Sequence, residues 1–229
     1  MKIYWETFPK HWERPQKGQF PTGSRVYKGF QGSGKSLSMV KYALDLYEAY
    51  PNCQIFSNMM INFEDKRRFH YIQTDEHLKK ALAYRNGGAG VLVLLDEAHL
   101  YFGKKGGIPL DVLTCISQQR KDRRRIVFSS QIWEELDISL RKQVKEIVSC
   151  SCYFGFLQVN TISDGETLSY DKLEGEYVAK KIRTEIFKHN QELYNSYDTL
   201  QKIVTNEEYS RIPTPQKNTV ILQEKATRK

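Results

Sequence analysis

Residues Gly29-Phe-Gln-Gly-Ser-Gly-Lys-Ser36 follow the order Gly, four residues, Gly-Lys-Ser, the pattern of a loop that wraps phosphate. Glycines let the backbone curl tightly, so that successive N–H groups point at one anion. A helix starting near Lys35 adds the positive end of its dipole at the same point. Lys35 would reach the β and γ phosphates as a point charge, and the Ser36 hydroxyl would ligate Mg²⁺. The expected nucleotide contacts are Gly29, Gln31, Gly32, Ser33, Gly34, Lys35, Ser36 and Leu37. Chance supplies about one such match per hundred chains of this length.

A second element completes the chemistry. Val91-Leu-Val-Leu-Leu95 is apolar throughout and ends in Asp96-Glu97. A strand ending in Asp sets a carboxylate at the edge of a sheet, where Asp96 can hold the water shell of a metal. Glu97 is suited to polarise an attacking water as general base. Many buried strands end in Asp, and it is the phosphate loop earlier in the chain that makes the pair specific. Ser129-Ser130-Gln131 ends another apolar strand. If that strand neighbours the Asp96 strand, the Gln131 amide faces the γ-phosphate or the lytic water. The plainer reading is a helix cap, for which Ser130 is well suited.

Basic residues form the third group. Arg120-Lys-Asp-Arg-Arg-Arg125 is a solvated loop, a contact for DNA phosphates, or the source of an arginine that reaches a neighbouring subunit's nucleotide. Arg120 and Arg124 are the candidates there, and Arg141 is a third. Lys104 and Lys105, in the Gly-rich loop after Asp96, suit either a DNA-gripping loop or a plain surface loop. His99 completes the letters Asp-Glu-Ala-His and is read as a structural or rim residue.

These groups need elements to carry them. Arg25–Lys28 reads as a strand before the loop, and Leu37, Val40, Leu44 and Tyr47 mark one buried stripe of the helix after it, which Pro51 ends. Further strands are expected at 54–57, 69–72 (an edge candidate), 91–95 and 125–129, with one or two over 147–159. Helices are expected from Asp75, with Thr74 before it as the start signal, to Tyr84, from after Ile108-Pro109 to about Arg120 and over Ile132–Lys145. Asp164-Gly165 predicts a hairpin turn into a strand holding Leu168 and Tyr170. The lack of polar alternation in 91–95 fits a strand buried on both faces of a parallel sheet. Strands alternating with helical segments define an α/β domain with a mostly parallel sheet. It is expected over 25–213, between a Pro-rich, aromatic arm (1–24) and a basic tail (214–229).

Composition excludes several classes. The chain has 229 residues, with 35 Lys+Arg against 27 Asp+Glu and a net charge of +8. That length gives one domain or at most two, with enough burial for a real core. No apolar run approaches the ~20 residues of a bilayer span, and the N-terminal residues lack the apolar stretch of a secretory signal. Cys53, Cys115, Cys150 and Cys152 are irregularly spaced and read as reduced core thiols. The basic excess permits a nucleic-acid partner.

With these motifs in order, the chain resembles the FtsK–HerA division of P-loop ATPases. More narrowly it resembles the zonula-occludens-toxin-type proteins of filamentous phages and the genome-packaging ATPases of tailless viruses. The resemblance covers about residues 25–200. It rests on Gly29–Ser36, Ile55-Phe-Ser-Asn58, Leu94-Leu-Asp-Glu-Ala98, the basic run before Ser130-Gln131, Leu136-Asp-Ile-Ser-Leu-Arg141 and Leu193-Tyr-Asn-Ser-Tyr-Asp-Thr199. It implies a RecA-like core binding ATP and Mg²⁺ between subunits of a ring, commonly a hexamer, with an arginine from 120–125 acting in trans. Hydrolysis would drive DNA through the ring. Filamentous-phage relatives typically add a transmembrane helix and a further domain; this sequence has neither, which favours a soluble packaging motor. The expected setting is the host cytoplasm, with a capsid vertex or a membrane protein as a docking partner. A phage assembly and export ATPase is the first alternative. A nucleotide-driven protein-remodelling switch and a nucleotide kinase are the others, the kinase being disfavoured by Glu97 and the Ser-Gln pair.

Overall fold

The computed structural model describes residues 19–103, 107–171 and 176–198. Most of the expected arm, the basic tail and Lys104–Lys105 lie outside the described residues. The elements run β1 (Gly23–Lys28), α1 (Lys35–Ala49), β2 (Gln54–Ser57), β3 (Phe69–Tyr71), α2 (Asp75–Ala83), β4 (Val91–Leu95) and α3 (His99–Phe102). They continue with α4 (Leu110–Ser117), β5 (Arg124–Ser130), α5 (Ile138–Arg141), β6 (Val144–Tyr153), β7 (Leu157–Asp164), β8 (Ser169–Asp171), β9 (Glu176–Val178), β10 (Lys181–Lys188) and α6 (Gln191–Asn195).

Eight strands form one sheet in the order β10-β7-β6-β1-β5-β4-β2-β3, and β8 pairs with β9 separately. From β6 to β3 all neighbours are parallel, while β7 and β10 add an antiparallel edge. This is an α/β sheet of the RecA-like type. β5 lies between the phosphate-loop strand β1 and the Asp96 strand β4, with Ser130 opposite Lys28 and Phe128 opposite Leu95. The ends of all three strands therefore meet at one edge.

Every β4 side chain is buried, and the chain's two-residue period divides them between two cores. Val91, Val93 and Leu95 pack with α2 and α4 through Leu78, Leu82, Val112 and Ile116. Leu92 and Leu94 pack with α1 through Leu37, Met39, Val40 and Ala43. The α1 stripe is wider than expected: Leu46 is buried, while Leu44 and Tyr47 are only partly so. Phe20 lies in the same core, edge-on to Tyr50, so the described end of the arm packs on its own chain. Thr74 caps α2 by accepting the His77 N–H.

Two expectations are corrected. The helix over 132–145 is a 3₁₀ turn (Trp133–Glu135) and the one-turn α5. Trp133, Leu136 and Leu140 are pulled into the core, and Val144 already pairs with β1. Nor does Asp164-Gly165 turn a hairpin: β7 pairs with β10, and β8 pairs with β9. Among the described residues no helix is long and apolar enough to cross a membrane. Cys53 and Cys150 are buried, and burial pushes the Cys150 thiol up to about 12.

At the start of the sheet, Arg25 and Arg125 are buried together and share one carboxylate oxygen of Glu146. Burial disfavours the Glu146 charge, but Arg125 and Arg25 outweigh it and hold the carboxyl well below the usual range. Glu146→Gln should leave two buried guanidiniums uncompensated and cost about 3–5 kcal/mol in urea unfolding at neutral pH. A carboxyl depressed on folding contributes fully above its unfolded value, near pH 4.3, and loses that contribution as pH falls further. The gap between wild type and variant should therefore narrow below about pH 4.

Candidate nucleotide site

The loop between β1 and α1 has the backbone that phosphate wrapping requires. Gly32 and Gly34 have φ of 78° and 82°, the left-handed region that glycine enters without strain. At Gly34 an added Cβ would lie 2.0 Å from Gln158 Oε1, so space as well as conformation demands glycine. Lys35 opens α1 and is 6% exposed, yet its Nζ donates only to the carbonyls of Gly29 and Phe30, each at 3.0 Å. A buried cation held by neutral carbonyls, beside the first N–H groups of a fifteen-residue helix, is suited to an anion. Gln31 is exposed on the loop. Leu37 lies in the core at 3% exposure, so its side chain anchors the helix and leaves only its backbone N–H near the loop.

Asp96 is gripped from four directions. Ser36 Oγ donates to its Oδ2 at 2.8 Å, and Ser129 Oγ donates to Oδ1. Asn58 is 1% exposed and takes both peptide groups, accepting the Asp96 N–H at 2.8 Å and donating to the Asp96 carbonyl at 2.9 Å. Glu97 follows with φ of 52°, a costly conformation for a residue with a side chain. Ser129 stabilises it: its Oγ accepts the Glu97 N–H and its carbonyl accepts the Ala98 N–H, both at 2.9 Å. The turn aims Glu97 at β5, where Gln131 Nε2 donates to Glu97 Oε1 at 2.6 Å. His99 Nδ1 stands 3.3 Å from the other Glu97 oxygen.

The structure thus brings together Lys35, Ser36, Asp96, Glu97 and Gln131. It does not bring in the arginines. Arg124 is fully buried, donating to the carbonyls of Tyr84 (2.9 Å) and Cys115 (3.4 Å) and to Asp122 (3.3 Å). It ties the ends of α2 and α4 to β5, and a guanidinium so enclosed cannot reach another subunit. Arg141 faces β9 of its own chain, donating to Tyr177 Oη at 3.4 Å. Arg120 is exposed at the start of β5, the end of the sheet away from the loop.

Three positioning residues escaped the sequence reading. The sequence shows Asn58 only as part of a strand-end motif, and Ser129 only as the end of a strand. Gln158, on β7, is fully buried and donates to the Ser33 carbonyl and to Asn160 Oδ1, both at 2.9 Å. Its Oε1 accepts from His189 Nε2 at 3.2 Å, while His189 Nδ1 faces Tyr194 Oη at 2.6 Å. Burial pushes the His189 imidazole down, consistent with a neutral ring that donates at one nitrogen and accepts at the other. No sequence signal marks Gln158, because its task exists only once β7 folds back behind the loop. The segment 193–198 also closes on the site. Tyr197 bridges to Ile61, and burial with the nearby Asp96 charge pushes its hydroxyl up to about 12.

A phosphate loop, a strand-end Asp-Glu pair and an intervening strand in a mostly parallel sheet define the P-loop NTPase fold of the RecA-like type. No protein-family model matches the chain, and no curated protein does. Among solved structures, it is similar to the N-terminal domain of zonular occludens toxin from Neisseria meningitidis, with TM-score 0.52 and 16% identity, covering 77% of this chain and 98% of that one. It is also similar to a structure described as an ATPase, with TM-score 0.50 and 8% identity over 74% of this chain and 82% of that one. The genome packaging NTPase B204 from Sulfolobus turreted icosahedral virus 2, in complex with ATP-gammaS, aligns with TM-score 0.49 and 14% identity over 70% of this chain and 98% of that one.

Two variants test the geometry. Gly34→Ala should abolish binding of a fluorescent ATP analogue, since the new Cβ meets Gln158; retained affinity would mean the loop binds in another conformation. Asn58→Ala frees the Asp96 peptide, so analogue affinity should hold while kcat falls roughly 10²-fold, the usual effect of a misplacement near 1 Å. Equal losses in KM and kcat would instead mark Asn58 as part of the binding surface.

Proposed function

We propose that the protein hydrolyses ATP and couples hydrolysis to the movement of DNA, as a ring-forming motor that packages a viral genome. The observation that carries the hydrolytic part is the 2.6 Å contact between Gln131 and Glu97 at the strand ends flanking the phosphate loop. A kinase must keep water from the γ-phosphate, whereas this pair is built to hold a water in line. Glu97 takes the proton as the water oxygen bonds to the γ-phosphorus and the bond to the β–γ bridging oxygen breaks. Gln131 fixes one Glu97 oxygen and orients the water, and Lys35 with the α1 amide groups balances the charge that shifts onto the phosphates.

The hydroxyl of Ser36 and the carboxylate of Asp96 form an all-oxygen donor set that fits Mg²⁺. When bound, that ion would neutralise charge on the β and γ phosphates. The DNA part is supported by the motif order shared with packaging ATPases and by the net charge of +8. On this reading the ring is a hexamer, an exposed arginine such as Arg120 serves the neighbouring nucleotide, and the motor works in the host cytoplasm docked on a capsid vertex or a membrane protein.

ATP hydrolysis measured at rising protein concentration, without DNA and with single- or double-stranded DNA, tests the reading. Turnover should climb steeply with concentration and rise further with double-stranded DNA. Turnover indifferent to both DNA forms would move the assignment to an assembly and export ATPase or a protein-remodelling switch. Glu97→Gln should bind ATP and retain it, with kcat down by roughly 10²-fold or more; rapid turnover by that variant would remove Glu97 as the base.

A further inference from the structure

The starts of β1, β5 and β6 enclose a concavity of about 810 Å³ at the end of the sheet opposite the phosphate loop. The seven residues of β5 put roughly 20 Å between the two sites. Its floor is Arg25 and Arg125, 2% and 3% exposed. Arg25 lies 4.2 Å from the centre of the Tyr42 ring and donates to Glu146 at 2.9 Å. Arg125 donates to Tyr42 Oη at 3.0 Å, to the Thr22 carbonyl at 3.2 Å and to the same Glu146 oxygen. One carboxylate therefore stands against two guanidiniums, and among the described residues Glu146 is the only acid lining the concavity.

The rim adds Arg120, Lys121, Arg123, Lys145 and Arg183. Arg183 is paired with Glu185 at 2.9 Å, and Arg123 donates to Gln19 at 2.9 Å. Arg120, Lys121 and Lys145 form no ion pair among the described residues. So many like charges facing one hollow repel one another, and an anion entering it relieves that repulsion. The stretches 1–18 and 199–229 each carry more Lys and Arg than Asp and Glu, so neither supplies the complement.

We propose that this basin holds the phosphodiester backbone of nucleic acid, as a second anion site separate from the ATP site. Its two aromatic rings are already engaged, Tyr42 under Arg25 and Phe20 in the core. Contact therefore falls on phosphate rather than base, and the grip is independent of sequence. A translocating motor needs such a contact, since it must hold every sequence equally. The inference rests on the reading of the protein as a DNA-acting ATPase.

The test is fluorescence anisotropy of a labelled duplex and its single strand with the full chain, from about 50 to 200 mM salt, where such contacts are most salt-sensitive. Lys121→Ala/Lys145→Ala should bind at least about tenfold more weakly and flatten the slope of log affinity against log salt by about two. Unfolding midpoints of both proteins confirm that the variant is folded. Lys79→Ala/Lys80→Ala on α2, an equal change in charge, should stay within about twofold of wild type. Equal losses in the two double variants, or none in the first, would overturn the basin while leaving the DNA-acting ATPase intact. Wild type that binds neither DNA form would overturn both. Displacement of the DNA by inorganic phosphate at matched ionic strength would assign the basin to a small anion and overturn the proposal.

Discussion

The Asp96 carboxylate has to stand at the exit of a strand buried on both faces, and the site is organised around satisfying that group. Asp96 follows five buried side chains, so each polar atom around it needs a partner supplied by the protein. Asn58 on the loop after β2 takes the peptide, while Ser36 on α1 and Ser129 on β5 take the two carboxylate oxygens. Three neighbouring elements are thereby fixed against β4. A slip of one residue in any pairing would turn the alternating side chains to the wrong core, so register and site are enforced together.

From that fixed point the rest of the active edge follows. With β5 between β1 and β4, its end reaches the space between the phosphate loop and the carboxylates. Ser129 uses its hydroxyl and its carbonyl to hold Glu97 in a left-handed conformation, and Gln131 meets the side chain so presented. The strain at Glu97 is thus placed where it aims the carboxylate at Gln131, with its compensation two residues away from the amide it meets. On the other flank the antiparallel strands beyond β6 serve the loop from behind: Gln158 seats the Ser33 carbonyl, and its closeness to Gly34 explains why that position admits no side chain.

The two ends of the parallel sheet carry different arrangements of charge. At the strand exits stand the first amide groups of α1, Lys35 and the carboxylates of Asp96 and Glu97. At the strand entries, Arg25 and Arg125 compete for Glu146 and leave an excess of positive charge facing a hollow. The length of β5 sets the basic surface well apart from Lys35, and the strands that separate the two ends also connect them.

The sequence by itself determined the local elements whose information is local. Gly29–Ser36 marks the loop because only glycine enters its backbone conformation; 91–95 marks a doubly buried strand because it lacks polar alternation; Thr74 starts a helix because its hydroxyl can accept an N–H. The pairing of Gln131 with the Asp96 edge was legible only as a condition, since it requires β5 beside β4, and strand order is set by long-range packing. Tertiary structure alone decided the rest. It enclosed Arg124 between α2 and α4, broke the expected helix over 132–145 to bury Trp133, Leu136 and Leu140, and carried Gln158 behind the phosphate loop. Side-chain type and spacing report what a residue can do; what surrounds it depends on contacts between segments far apart in the chain, and that decides whether an arginine reaches outward or holds two helices together.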